Sequence, residues 1–338
     1  MVKLADSLKV AVIGMGKMGI LHTGILNSIS DVEVKVLVDN QDAILSFIKA
    51  GLPSVSTYKD YEYAFRHEDI DLVYITTPNS LHTKIALACV ERGIPFFVEK
   101  PLGISVDDCL PLMELLERKR VTNMIGYSKR YVDTFRKGKE LIDNGYIGNP
   151  IYFKSSMYVS QLFSRGKGWR YKKESSGGGV LNTLATHLVD LLLWYFGNPI
   201  TMVGNTRSQY SKDVDDFVHA YMIFENGISG YMDASWSVRN YRLPEIKIEV
   251  EGDNGMLVMT DDFLKIYTDD TSSWKTSYKQ DFFKGVEFDL GGPEYTLENR
   301  HMVDSVRDNK ETNVDVANGF RVQKVIEAIY KSNSGKMQ

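Results

Sequence analysis

Residues 9–19 read KVAVIGMGKMG. The run VAVI is continuous and apolar, the composition of a strand covered on both faces. Glycines 14, 16 and 19 then follow in the spacing G-x-G-x-x-G, and a helical run opens at Lys17. A glycine turn between a buried strand and a helix is the context in which that spacing binds a dinucleotide. Gly14 would form the tight turn, Gly16 would admit a pyrophosphate to the backbone, and Gly19 would let helix and strand pack closely. The amides of the helix N-terminus, around Lys17 and Met18, would face the phosphates. The alternative is a glycine turn with no ligand.

Outward from this turn the first third alternates strand and helix signals. VEVKVLV (32–38) is a strand, and DAILSFIKAG (42–51) a helix with Gly51 as C-cap. DLVYITT (71–77) is a strand, and SLHTKIALACVERG (80–93) a helix with Ser80 as N-cap and Gly93 as stop. PFFVEK follows as a strand, then a helix over 105–120 that opens on Ser105, Asp107 and Asp108 and closes on Arg118, Lys119 and Arg120. Such β-α-β alternation predicts a doubly wound parallel sheet. Asp39 ends the second strand, where an acidic residue accepts hydrogen bonds from the adenosine ribose and repels a 2′-phosphate. That points to NAD and away from NADP. A strand-end aspartate opening the next helix is the other reading.

In a doubly wound sheet, ligands bind at the carboxyl ends of the strands. Thr76, Thr77, Pro78 and Asn79 occupy one such end, and Glu99, Lys100 and Pro101 another, in IPFFVEKPLGIS (94–105). A lysine there, beside a cationic nicotinamide, would have its ammonium form disfavoured by desolvation and by the neighbouring charge. It could then give or take a proton near neutral pH. A Glu99–Lys100 ion pair or a solvated lysine is the structural alternative.

After residue 125 the pattern changes. A helix over 132–145 precedes long strand-like stretches, with the turns ENG and DNG between apolar runs reading as hairpins. This predicts an α+β domain on a large, mostly antiparallel open sheet, closed by a helix over 314–332. The stretch SSGGGVLNTLATHLVDLLLWYFG (175–197) carries three glycines that would let the chain pass close to a ligand. A helix from Val180 would then place Thr183, His187, Asp190 and Trp194 on one side, with Asp190 orienting the His187 ring. A core-edge histidine satisfied by Asp190 is the plainer reading.

A chain of 338 residues predicts two domains, here 1–125 and 126–338. The net charge of −4 offers no basic face for nucleic acid and no membrane patch. Two cysteines, Cys89 and Cys109, suit a reducing cytosol, and no secretory segment or membrane span is read. A cytoplasmic location is expected. The six histidines are scattered without metal-ligand spacing, so no metal is expected, and His22 and His82 read as structural.

Taken together, VAVIGMGKMG, ITTPNSLHTKIALACVERGIPFFVEKPLG, GYSKRYVDTFRKGKELIDNGYIGNP and the GGG…H…D segment resemble the glucose-fructose oxidoreductase / inositol dehydrogenase / MocA (Gfo/Idh/MocA) family. The resemblance implies a Rossmann domain and a C-terminal domain that binds substrate and forms a homodimer or homotetramer through its sheet. It implies hydride transfer between NAD and a sugar, sugar derivative or cyclitol. It assigns Lys100 as acid/base and His187 to positioning or protonating the substrate. Gly14, Gly16, Gly19 and Asp39 match its dinucleotide site, with Thr77, Pro78 and Asn79 lying along the cofactor; Thr76, His82 and Glu99 flank these positions. Many relatives carry Asp where Thr183 stands, after Asn182. Threonine can hydrogen-bond a hydroxyl but does not ionise, so more of the acid/base work moves onto Lys100 and His187. Arg130, Arg165, Trp169, Arg170, Tyr171, Lys173, Asn182 and Thr183 are candidate substrate contacts, the charge of the loop residues suited to a carboxylated or phosphorylated sugar; solvated loop residues are the plainer reading. Alternatives are a dihydrodiol-like reductase of a non-sugar carbonyl and a non-catalytic, NAD-binding sugar sensor.

Overall fold

The computed structural model describes residues 7–334. The chain divides into two compact units, one running through Ser128 and including Gly285–Phe320, the other formed by Lys129–Lys284 and the chain from Arg321 onward. The expected boundary after residue 125 is close, but the expected second domain, 126–338, is not continuous. The reason lies at a sheet edge. The N–H of Ile125 donates to the Val314 carbonyl at 3.0 Å, and Asn123 accepts from the Val316 N–H at 2.9 Å and, through its carbonyl, from Thr312 Oγ1 at 2.6 Å. An open edge with unpaired backbone groups is thereby covered by a returning segment.

The first unit holds β1 (Leu8–Ile13), α1 (Lys17–Ser28), β2 (Val32–Val38), α2 (Asp42–Gly51), β3 (Ser56–Tyr58), α3 (Tyr61–His67), β4 (Leu72–Ile75), α4 (His82–Arg92), β5 (Phe96–Glu99), α5 (Val106–Arg118) and β6 (Asn123–Gly126). All its strands pair in parallel, in the order β3-β2-β1-β4-β5-β6. The order reverses between β1 and β4, so the crevice at their carboxyl ends is where a ligand fits. β1, β4 and β5 are buried throughout their cores, as their apolar runs require. Ser105 caps α5, accepting from the Asp108 N–H at 3.1 Å, and Gly93 ends α4 with φ of 69°.

Three local features depart from the sequence pattern. The short β3 and α3 carry no strand or helix signal in the alternation read above. Ser80 does not cap α4: Asn79–Leu81 forms a 3-10 turn and the helix begins at His82. Gly51 is the last residue of α2 and Leu52 takes the C-cap position.

The second unit contains α6 (Asp133–Asp143), β7 (Pro150–Tyr158), α7 (Lys173–Ser176), α8 (Val180–Thr183), α9 (Thr186–Phe196), β8 (Pro199–Arg207), β9 (Phe217–Phe224), β10 (Ser229–Ser235), β11 (Glu245–Gly252), β12 (Gly255–Thr260), β13 (Phe263–Thr268), β14 (Ser273–Tyr278) and α10 (Lys279–Phe282). Then α11 (Pro293–Arg307) belongs to the first unit, and α12 (Val316–Ser334) runs from the first into the second. The strands form one sheet in the order β14-β13-β12-β11-β7-β10-β9-β8, antiparallel except for β7 with β10. One face lines up Ala220, Met232, Ser155, Ile248, Met259 and Leu264, all buried. The opposite face lines up Val203, Tyr221, Tyr231, Lys154, Glu249, Val258 and Lys265.

The single helix expected from Val180 is two. Ala185 N–H reaches back to the Val180 carbonyl, a wider loop than an α-turn, and the Thr183 hydroxyl donates to the Gly179 carbonyl at 2.8 Å. The Ala185 bond, and that of the His187 N–H, which reaches only three residues back to the Leu184 carbonyl, interrupt the four-residue ladder, and α8 and α9 are separate segments. Thr183 therefore does not share a helical stripe with His187. Among the described residues, no single helix is long and apolar enough to cross a membrane.

Candidate active site

In the first unit the glycines are required by close approach. Gly14 has φ of 97°, and a Cβ there would lie 2.8 Å from the Thr76 carbonyl carbon; at Gly19 it would lie 2.0 Å from the Gly14 carbonyl oxygen. Gly16 differs, since a Cβ would meet nothing within 4 Å. The backbone at Gly16 is open to an approaching group. α1 begins there with Gly16 at the N-cap position and no side-chain cap hydrogen bond to its first-turn amides. Thr76 Oγ1 donates to the Gly14 carbonyl at 2.6 Å and fixes the end of β4 to the turn. Beside it, Thr77 Oγ1 is buried with no hydrogen-bond partner among the described residues. An open backbone, an uncapped helix terminus and an orphaned hydroxyl together fit a dinucleotide.

Asp39 is tied to both neighbouring loops. Its Oδ2 accepts from the Met15 N–H at 2.8 Å and its Oδ1 from the Gln41 N–H at 2.9 Å. Each carboxylate oxygen keeps a second lone pair, so the side chain can hold the glycine turn and still accept from a ribose hydroxyl. Lys17 is exposed and Met18 half-buried at the start of α1, and Asn79 is buried in the turn after β4.

Lys100 follows the last residue of β5 and is half-buried, and its peptide bond to Pro101 is cis. Glu99 before it is buried. Its Oε1 lies 3.1 Å from His22 Nε2 and its Oε2 accepts from the Lys100 N–H at 3.2 Å. Burial would raise the Glu99 pKa, but the His22 hydrogen bond and the charges of His22, Lys100 and His82 hold it below its ordinary value. Glu99 thus supports the strand end from inside the fold and does not face a cofactor.

His82 also proves structural, against its expected place beside the cofactor. It is 1% exposed, with Nδ1 2.7 Å from the Pro101 carbonyl oxygen and Nε2 2.9 Å from that of Thr77. Both nitrogens are turned toward the turns after β4 and β5, and the one that carries the proton of the neutral ring donates to its carbonyl. Burial, its largest influence, pushes its pKa down against those two carbonyls.

In the second unit His187 is buried in the first turn of α9. Asp190, expected to orient it, has both oxygens engaged by Arg130, Nε at 2.8 Å and Nη2 at 2.6 Å. Burial nevertheless raises the Asp190 pKa, against the charge and hydrogen bonds of Arg130. Arg130 also lies over the Trp194 ring at 5.6 Å, so its fork is committed to the protein and not presented to a substrate.

The glycine run approaches the chain itself. A Cβ at Gly179 would lie 1.9 Å from the Asp215 carbonyl oxygen, and at Gly178 2.3 Å from Tyr330 Oη. Asp215 accepts from the Gly179 and Leu181 N–H groups at 2.8 and 2.9 Å and from Tyr330 Oη at 2.7 Å. Sequence reasoning missed this anchor of the His187 segment; its only signal is the acidic pair Asp215-Asp216 ahead of a strand. Asn182 is fully buried and donates to the Ser176 carbonyl at 2.8 Å, a scaffold position. In the loop before the glycines, Arg165 and Tyr171 line a pocket of about 230 Å³ together with Lys167, Lys172, Lys212 and Asp213. Arg170 stacks on Trp169 at 5.6 Å. Lys173 opens α7 and is exposed. Among the described residues, no group of three His, Cys, Asp or Glu side chains could hold a metal ion.

Residues 8–127 match the family model described as an oxidoreductase family, NAD-binding Rossmann fold, and residues 139–338 match that of its C-terminal α/β domain. Inositol 2-dehydrogenase of Mycolicibacterium gilvum is 27% identical over 306 residues, 88% of this chain and 83% of that protein. Oxidoreductase P35 of Formosa agariphila is 27% identical over 66% of this chain and 70% of its own length. In fold, the chain is similar to levoglucosan dehydrogenase in complex with NADH and levoglucosan, with a TM-score of 0.89 at 22% identity over 97% of both chains.

Proposed function

Because the chain belongs to the Gfo/Idh/MocA oxidoreductase family and carries its NAD-binding Rossmann domain, we propose that it is a dehydrogenase of a sugar, sugar derivative or cyclitol. The observation that carries this reading is the half-buried Lys100, delivered by β5 to the ligand-binding edge of the sheet and backed by a buried carboxylate. Relatives named for inositol support the substrate class.

Bound NAD would supply the hydride acceptor or donor for the carbon bearing the substrate oxygen. The open backbone at Gly16 and the N-terminus of α1 would hold its phosphates, and Asp39 would accept from the ribose hydroxyls. Lys100 exchanges the proton of the substrate oxygen, as an amine in oxidation and as an ammonium in reduction. His187 positions or protonates the substrate. Thr183 spends its hydroxyl proton on the Gly179 carbonyl, so toward a ligand it offers only lone pairs. The pocket lined by Arg165, Lys167, Lys172 and Lys212 suits a carboxylate or phosphate on the substrate.

The test is Lys100→Met, which keeps the packed stem and removes the titrating head. With a substrate found by thermal-shift screening of sugars under saturating NADH, turnover should fall about 10²–10⁴-fold. NADH binding and melting temperature should stay near wild type. A mutant within a few-fold of wild-type turnover overturns the assignment.

A further inference from the structure

Behind Lys100 lies a chain of buried groups that the proposed reaction does not use. His22, in α1, is 0% exposed and packed by rings, Phe97 at 4.9 Å and Tyr74 at 5.4 Å. Its Nδ1 faces the side-chain amide of Asn299 in α11, with Oδ1 at 3.1 Å and Nδ2 at 2.9 Å, and that Nδ2 donates to the Tyr295 carbonyl at 2.7 Å. Glu99 Oε1 lies 3.1 Å from Nε2 and accepts as a carboxylate oxygen, so Nε2 carries the proton donated to it. A buried carboxylate without such a donor would take up a proton.

We propose that His22 is a positioning residue for Lys100: oriented by Asn299, it holds Glu99 as a carboxylate that grips the Lys100 backbone and keeps a negative charge beside the ammonium. The proposal rests on reading Lys100 as the proton-transferring group. The other groups facing this cluster are Tyr74 of β4, His82 of α4, and Glu294, Tyr295 and Glu298 of α11. Burial holds Tyr74, Tyr295 and Glu298 in their neutral forms, and Glu99 is the carboxylate that bonds to Lys100.

The test needs no substrate. Competitive acetylation of the full-length protein, read by mass spectrometry, gives the pH midpoint at which the Lys100 amine becomes reactive. Glu99→Gln should move that midpoint down by about one pH unit, roughly a tenfold larger neutral fraction at a given pH. His22→Phe, which keeps a ring against Phe97 and Tyr74, should do the same, and the double variant should go no further. His22→Gln can still donate to Glu99 and should return the midpoint toward wild type. Glu298→Gln should leave it in place. A midpoint unmoved in Glu99→Gln, additive shifts in the double variant, or an equal shift in Glu298→Gln would overturn the proposal. Should His22→Phe fail to fold, His22→Leu, which also removes the donor to Glu99, carries the His22 arm beside Glu99→Gln, and a midpoint unmoved in it would overturn the proposal. An active Lys100→Met enzyme would end the catalytic reading of Lys100 and leave the labelling result standing.

Discussion

Glu298 is the residue whose environment is most at odds with its chemistry. It is fully buried in α11, and among the described residues neither carboxyl oxygen has a hydrogen-bond partner. Burial, then the charges of Glu99 and Glu294, push its pKa well above the ordinary value. The native state therefore keeps a proton that the unfolded chain releases above its own carboxyl pKa. Stability from this group is full at low pH and is lost as pH rises from there toward the folded pKa, by up to about 1.4 kcal/mol per pH unit. Glu298→Gln removes that dependence and substitutes a fixed cost. Melting curves from pH 5 to 8 should show the variant gaining on wild type as pH rises; parallel curves would refute this. Nothing in the pattern around Glu298 marks it, because its partners are set by tertiary packing. The demand for glycine at 14 and 19 is legible because a tight turn at a strand end leaves no room for a Cβ, whereas the reading of Lys100 rests on the family resemblance of its stretch.

Among the elements, the turn from β1 to α1 separates two demands on glycine that the spacing alone runs together. Gly19→Ala would press a Cβ to 2.0 Å from a backbone carbonyl oxygen, where nothing flexible can yield. Overpacking of that kind costs about 1–3 kcal/mol or more, and the melting temperature should fall. Gly16→Ala meets no neighbour. Its melting temperature should hold, while NADH affinity drops at least about tenfold, about 1.4 kcal/mol, because the new methyl occupies the pyrophosphate's approach. Calorimetry and NADH titration on the two variants check this, and a Gly16→Ala protein binding NADH as wild type would contradict it. The α8–α9 break is the opposite case. Periodicity read one helix across 180–197, but the irregular turns at Ala185 and His187 and the Asp215 anchor lie outside what a 3.6-residue period encodes.

For the whole molecule, we propose that the outward face of the eight-stranded sheet joins copies of the chain. Its central row places Val203, Tyr221 and Tyr231 side by side, with Val203 and Tyr231 exposed and the two tyrosine rings 5.3 Å apart. Apolar residues gathered on an exposed sheet face favour burial against a second copy. Light scattering at micromolar concentration should give a dimer or tetramer, and Tyr231→Glu should lower the mass; a wild-type monomer would refute the proposal. The sequence by itself determined the strand-turn-helix order, the glycine turn, the acidic strand end and the lysine at the end of β5. Each of these depends on periodicity or on backbone geometry spanning a few residues. Only the tertiary structure decided that Gly285–Phe320 returns to the first unit, so that Asn299 meets His22 from 277 residues away. It alone decided that the glycine run packs on Asp215, and that Asp190 pairs with Arg130. Those pairings depend on which buried polar groups find each other once the sheets have closed, and burial is a property of the folded whole.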